Sequence, residues 1–388
     1  MVVQSPPPQT FACNQCGQCC TSVSIPIEPE KAKALKQLDW VIERLALHGV
    51  DFEPLPKNKY DTRWQVPLTA ERRCVFLGDA NECLVHHFAG PELKPDECHR
   101  YPFSSGFRSS GLRQGPVMDD PVGLQYDVTA SCQSVADGLS EGIVNWQPSS
   151  IPPPHPLGVD ALPEEWPVVN QKSLPWGERD AWLSSLRPLI KDKSVTAWQL
   201  LQAASQIFHK SPQKSRVNSS FFERLWLILC LRKPYSLWSV AALLSGKGYV
   251  DNKVLGTTPI ALASVLSQPV SDTSTALKAF VVSILSRRLP YVIGMDAQGL
   301  WWLAFSGWVL VRFYARALFL LENNTMNKTM MDNKTEGKRA DVDESLVVVA
   351  IRLVERYYTG HQPRFVAWVH RRSRASAVLG RLLKVFPS

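Results

Sequence analysis

The sequence predicts an α+β protein: a small cysteine-rich, metal-binding N-terminal domain with a hairpin and a helix, followed by a mostly α-helical C-terminal domain. Three observations carry this. Eight of the nine cysteines precede residue 133. After residue 170 the apolar residues recur mostly at helical spacing. Between these regions lies "SSIPPPHPLGVDALPEEWP" (149–167), whose prolines favour extended, semi-rigid chain. The expected division is therefore 1–148 for the cysteine-cluster domain, 149–170 for a Pro-rich linker and 171–388 for a helical domain. A chain of 388 residues is long enough for two or three cores.

In chain order, "EPEKAKALKQLDWVIERLALHG" (28–49) reads as a helix ending at Gly49. "CVFLGDANECLVHH" (74–87) reads as a hairpin, with apolar residues on each side of a "GDAN" turn. "GLQYDVTASC" (123–132) reads as a strand running into Cys132. Beyond the linker, helices are expected over 194–210, 219–233, 273–289, 297–322 and 343–358. Several open on Ser, Thr or Asp at an N-cap position, and Gly360 follows the last. The polar stretch 323–341 reads as a mobile loop. Its Asn-x-Thr sequons are set aside, because glycosylation requires export. The ninth cysteine, Cys230, sits in the apolar "FFERLWLILCLRK" and reads as a core residue.

The start "MVVQSPPPQT" has neither a basic head nor an apolar run, so no export signal is expected. "LWWLAFSGWVLV" (300–311) is too short to span a bilayer and reads as a buried helix. The expected location is the reducing cytoplasm, where clustered thiols more often bind metal than form disulfides. Charge is unevenly spread. Residues 1–170 carry 13 Lys and Arg against 21 Asp and Glu, whereas residues 171–388 carry 30 against 14. The two halves are therefore suited to different partners, or to each other.

The chemistry concentrates in two groups of cysteines. Cys13, Cys16, Cys19 and Cys20 form C-x2-C-x2-C-C. Two-residue spacing lets a tight loop turn successive sulfurs toward one ion, and Gly17 suits such a loop. In extended chain neighbouring side chains diverge, so Cys19 and Cys20 are expected to serve separate ligand positions. Cys74, Cys83, Cys98 and Cys132 form the second group, with Cys74 and Cys83 flanking the expected hairpin. Four thiolates complete one zinc site or hold one cubane cluster, so eight allow two sites, or one site plus auxiliary thiols. Convergence of all eight is expected. Even spacing assigns Cys13, Cys16 and Cys19 to one centre, with Cys98 as the fourth ligand. His86, His87 and His99 lie close by, and at most one is expected to ligate.

These residues carry a family likeness. "FACNQCGQCC", "CVFLGDANEC", "KPDECHRYPF" and the "SC" at 131–132 resemble the YkgJ-type cysteine-cluster proteins, described as zinc- or iron-chelating domains. Lys94-Pro95 stands where that pattern has Arg-Pro, and His99 stands where it has Arg. The stretch from Cys83 to Cys98 is longer than in that pattern and is similar to a block of flagellin lysine N-methylase, with Cys83, His86, Gly90, Cys98 and Tyr101-Pro102 matching. The resemblance covers roughly residues 11–138. It implies metal binding by Cys13, Cys16, Cys19, Cys20, Cys74, Cys83, Cys98 and Cys132, as zinc or as an iron–sulfur cluster such as 4Fe-4S.

Three functions compete. The first is a metal-binding protein whose reaction, if any, is unknown. The second, implied only by the methylase likeness, is S-adenosylmethionine-dependent methyl transfer to a lysine of a protein substrate. No G-x-G-x-x-G and no C-x3-C-x2-C supports it. The third is nucleic-acid binding through "RFVAWVHRRSRASAVLGRLLK" (364–384), where Arg371, Arg372, Arg374, Arg381 and Lys384 gather near Trp368. A solvated basic face, or one docked on the acidic half, explains that segment equally and is preferred.

Overall fold

The computed structural model describes residues 9–21, 25–55, 63–108, 124–148, 163–169, 172–208, 249–250, 260–261, 265, 270–287, 289–292, 294–329 and 342–359. It mixes helices with short strands. The chain enters through β1 (Gln9–Thr10), passes the first cysteine loop and forms β2 (Pro26–Ile27). The helix expected over 28–49 is two helices, α1 (Pro29–Leu35) and α2 (Asp39–His48), with Leu38 extended between them at φ −90° and ψ 124°. The buried positions explain the break. Ala32 and Leu35 face the core from α1, and Val41 and Leu45 from α2. A six-residue step from Leu35 to Val41 cannot stay on one face of a straight helix. Gly49 closes α2 at φ 62°, where the sequence placed the end.

The strands β3 (Glu53–Pro54) and β4 (Trp64–Gln65) join β2 in an antiparallel sheet ordered β2-β4-β3. The expected hairpin at 74–87 is only half realised. A turn from Gly78 to Glu82 brings Leu77 opposite Cys83. The chain then enters α3 (Leu84–Phe88) rather than a second strand. Leu84 and Val85 are buried while His86, His87 and Phe88 are exposed, and such clustering suits a helical turn rather than alternation. Arg44 of α2 holds this segment through the carbonyl oxygens of Val75 and Leu77. Next come α4 (Asp96–Arg100) and the antiparallel pair β5 (Phe103–Arg108) and β6 (Leu124–Val128), the latter inside the expected strand. After α5 (Gln133–Ser140), β7 (Trp146–Gln147) pairs in parallel with β1.

The remaining described chain holds the pair β8 (Trp166–Val169) and β9 (Lys172–Leu174), then α6 (Trp176–Leu186), α7 (Pro188–Lys191) and α8 (Ala197–Ser205). A two-residue antiparallel pair joins β10 (Tyr249–Val250) to β11 (Ile260–Ala261). The last helices are α9 (Thr275–Leu285), α10 (Leu289–Val292), α11 (Ala297–Thr329) and α12 (Glu344–Val354), followed by a π-helical turn over Glu355–Thr359. N-caps fall on Thr196, Ser274 and Asp343, each accepting a bond from a backbone N–H three residues on. Helix α11 runs seven residues past its expected end at 322, into the stretch read as a loop. The expected helix at 219–233, Cys230 and the basic segment 364–384 lie outside the described residues.

Two apolar cores result. The first gathers Ile25, Ile27, Leu35, Val41, Phe52, Val66, Val75 and Phe76. The second begins at Phe103 and runs through α5 and Trp146 to Val354. Among the described residues, the chain passes from the first core to the second after Cys98, where Tyr101 and Phe103 join the second; residues 149–162 of the expected Pro-rich linker lie outside the described residues. The reason is packing. Val135, Ala136 and Leu139 of α5 need an apolar partner, and a two-stranded ladder offers too little, so α5 docks on α9 and α12. Each Leu or Phe sealed this way contributes about 2 kcal/mol. Residues Ala297–Asn323 of α11 are long and apolar enough to cross a membrane, their most apolar 18-residue stretch having mean hydropathy 1.4. Of their most apolar stretch 83% is buried by the rest of the protein, as in a core helix.

Candidate metal centre

The first cysteine loop is shaped by its backbone. Gln15 at φ 54° and Gly17 at φ 69° both take left-handed conformations, and Gln18–Cys20 forms a 3-10 turn. A Cβ on Gly17 would stand 2.7 Å from Oδ1 of Asn81, in the turn before Cys83. Glycine is therefore required both by conformation and by space. Asn14 N–H donates to Ser134 Oγ at 3.3 Å, which ties the loop to the start of α5. The 3-10 turn also changes the expectation for the adjacent pair. Because Cys19 and Cys20 are not in extended chain, their sulfurs lie 3.7 Å apart rather than diverging.

The second group is joined to the first through main chain. Thr21 bridges Arg73, and the N–H of Cys74 donates to the carbonyl of Cys20 at 2.7 Å. The turn returns Cys83 beside Leu77, whose N–H bonds the Cys74 carbonyl. Cys98 lies in α4, which is anchored to α1 by Lys31–Asp96 at 2.7 Å and by Asp96 N–H to Glu28. Cys20, Cys83 and Cys98 all pack, with buried Cys74, on the first core. Cys132 is the N-cap of α5 and belongs to the second core, on the side tied to the Cys13 loop by Asn14–Ser134. Cys98 packs on the first core with Cys20, Cys74 and Cys83, and it also feels the charge of Cys19, one of the three cysteines grouped with it from spacing. The eight thiols are unpaired by disulfides. Among the described residues, no group of three or more His, Cys, Asp or Glu side chains is arranged as it stands to hold a metal ion. That includes His86, His87 and His99.

Burial sets the electrostatics. It pushes the Cys74 thiol up to about 12, and it drives Cys98 far above the usual thiol range, with Cys74 adding to the effect. Burial likewise raises Cys132 to about 11, with smaller contributions from Cys19 and Cys13. Cys19 moves the other way, to about 7, chiefly because it is hydrogen-bonded to Cys20, against the cost of burial and helped by Lys94 and Arg356. Its partner Cys20 is raised by the same bond. Cys19 is therefore the readiest thiolate of the site.

Several contributors come from outside the cysteine motifs. Arg352 in α12 donates to Gln18 and to Gln133, the neighbours of Cys19 and Cys132. Arg356 in the π turn donates to the carbonyl of Thr21 at 2.9 Å. Between them, buried Glu355 accepts from Arg287 at 2.7 Å and from Thr129 at 3.1 Å. Thr129 in turn contacts Ser131, and Ser131 contacts the Tyr101 hydroxyl at 3.1 Å. The expected helix over 343–358 gave no sign of this role. Tyr101 joins this network, and Phe103 packs edge-on against Phe11 with ring centroids 5.7 Å apart.

A thiol-rich loop folded against a thiol-bearing turn and a short helix is the arrangement of a cysteine-based chelating domain. Residues 12–121 match the family described as "CxxCxxCC: Putative zinc- or iron-chelating domain", and this part of the chain carries that domain. The match takes in Cys13 through Cys98 and stops before Cys132. No curated protein and no solved structure matches the chain significantly.

Proposed function

We propose that the chain binds zinc or iron through two neighbouring sets of thiolates. Cys20, Cys74, Cys83 and Cys98 form one set, and Cys13, Cys16, Cys19 and Cys132 form the other. The observation that carries the reading is the bond from Cys74 N–H to the Cys20 carbonyl at 2.7 Å, because it joins two motifs far apart in sequence. The donor chemistry fits. Thiolates are the preferred ligands of structural zinc and of iron–sulfur clusters alike. A bound zinc would cross-link the loop to the first core, and an iron–sulfur cluster would supply one-electron chemistry there. The protein's own part is to hold Cys74 and Cys98 on a packed core, to keep the first loop bent at Gly17, and to present Cys19 as a thiolate. Anaerobic purification followed by metal analysis and an absorption spectrum tests the reading. Stoichiometric zinc, or iron with sulfide and a broad visible band, is expected; protein free of both after metal reconstitution overturns it.

A further inference from the structure

The first cysteine loop is the most exposed part of the site, yet its thiols must meet Cys132 on another element. Three contacts hold it there, and two of them come from the C-terminal helix. Arg352 spans Gln18 and Gln133, so one guanidinium grips the residue before Cys19 and the residue after Cys132. One turn later Arg356 holds the Thr21 carbonyl, directly after the Cys19-Cys20 pair. Arg352 also keeps a buried Nε–H with no hydrogen-bond partner. A divalent ion ringed by four thiolates leaves a net negative charge, and a buried donor next to it is an asset rather than a defect.

We propose that Arg352 and Arg356 are positioning residues of the metal centre. On this view the helical core lends them to close the Cys13 loop onto Cys132 and to offset the charge of the thiolate set. The inference rests on the metal-binding reading and adds a role for a part of the chain outside the family match. It also gives the acidic and basic halves of the chain a specific meeting point: a cationic helix end against the anionic centre that loading creates.

The test uses the full chain, loaded with zinc without oxygen and titrated against a chromophoric chelator, so that each metal equivalent is read as an affinity. In Arg352→Gln and Arg356→Gln the equivalent held by Cys20, Cys74, Cys83 and Cys98 should keep its affinity. The other equivalent should weaken about tenfold or more in each variant, the usual cost of removing a group that orients metal ligands. Arg352→Lys should recover part of the loss, because it restores the charge but not the two-armed grip. A lysine variant as weak as the glutamine variant would overturn the charge contribution. Should the arginine variants fail to fold, Gln18→Ala combined with Gln133→Ala removes the acceptors and leaves the helix intact, and the same selective loss is expected. Wild-type affinity for both equivalents in these variants sinks the inference while leaving metal binding standing. A wild-type chain that takes up no metal sinks the underlying reading instead.

Discussion

Cys98 and Cys132 sit on different cores, and their substitutions should be told apart by metal content. Cys98→Ser and Cys132→Ser are each expected to lose about one equivalent, and the double variant about two. Cys74→Ser with Cys98→Ser should lose no more than one, because both belong to the set on the first core. Equal losses in the two pairs, measured by elemental analysis, would show that the thiols divide otherwise. Gly17 is a second sensitive position. Gly17→Ala forces a side chain into φ 69° and against Asn81, so a stability loss of about 1–2 kcal/mol is expected. Asn81→Ala in the same chain should restore only the steric part, since the backbone strain remains. The buried thiols add a pH dependence to the metal-free protein. Cys74 and Cys132 keep their protons up to about 12 and 11 when folded, against an ordinary 9.0. The folded chain therefore binds more protons across that interval. Their contribution is intact below 9.0 and is lost as the pH climbs through the folded values. Denaturant midpoints of the metal-free protein should fall between pH 9 and 11, and a flat profile would contradict the burial of these sulfurs.

Helix ends decide how the chemistry is held in place. Thr196 and Gln199 form a reciprocal capping box at the start of α8, with both bonds present. Thr196→Ala should cost about 1 kcal/mol in denaturant unfolding and leave metal content untouched, because α8 does not reach the cysteines. The end of α12 is a different case. There Glu355 is fully buried and carries the ion pair to Arg287 as well as the bond to Thr129. Arg287→Met leaves the carboxylate without that compensating charge, and a loss of about 3–5 kcal/mol is expected. Because Arg352 and Arg356 flank Glu355, this variant should also loosen the first cysteine loop. Faster hydrogen exchange at residues 18–21 would register that effect, and unchanged exchange there would show that the helix end and the loop are independent.

Among the described residues, the cysteines and the helical core meet where Cys132 joins the second core. The core of α9, α11 and α12 is sealed by residues such as Phe280, Leu303, Trp308 and Ile351. Stripping metal should therefore raise hydrogen exchange across residues 13–21 and 74–98 while the helical signal in circular dichroism stays nearly constant. Collapse of the helical signal on chelation would mean that the second core depends on the site. Metal uptake should release protons, since Cys74, Cys98 and Cys132 are protonated thiols near neutral pH, so apparent affinity falls as pH is lowered.

The cysteine motifs, the end of α2 at Gly49, the strand before Cys132 and the capped helices were legible in the amino-acid order, because each depends on spacing or on residues a few positions apart. The break at Leu38 and the helix after Cys83 were not, because each depends on which face must be buried and against what. The same holds for the division between the cores. The chain passes to the second core where α5 finds an apolar partner in α9 and α12. Least visible of all were Arg352, Glu355 and Arg356. On a helix they look like solvated polar residues, and only the packing of that helix against residues more than two hundred positions away turns them toward the thiols. Local pattern placed the cysteines; long-range burial of apolar faces chose their neighbours and the charges around them.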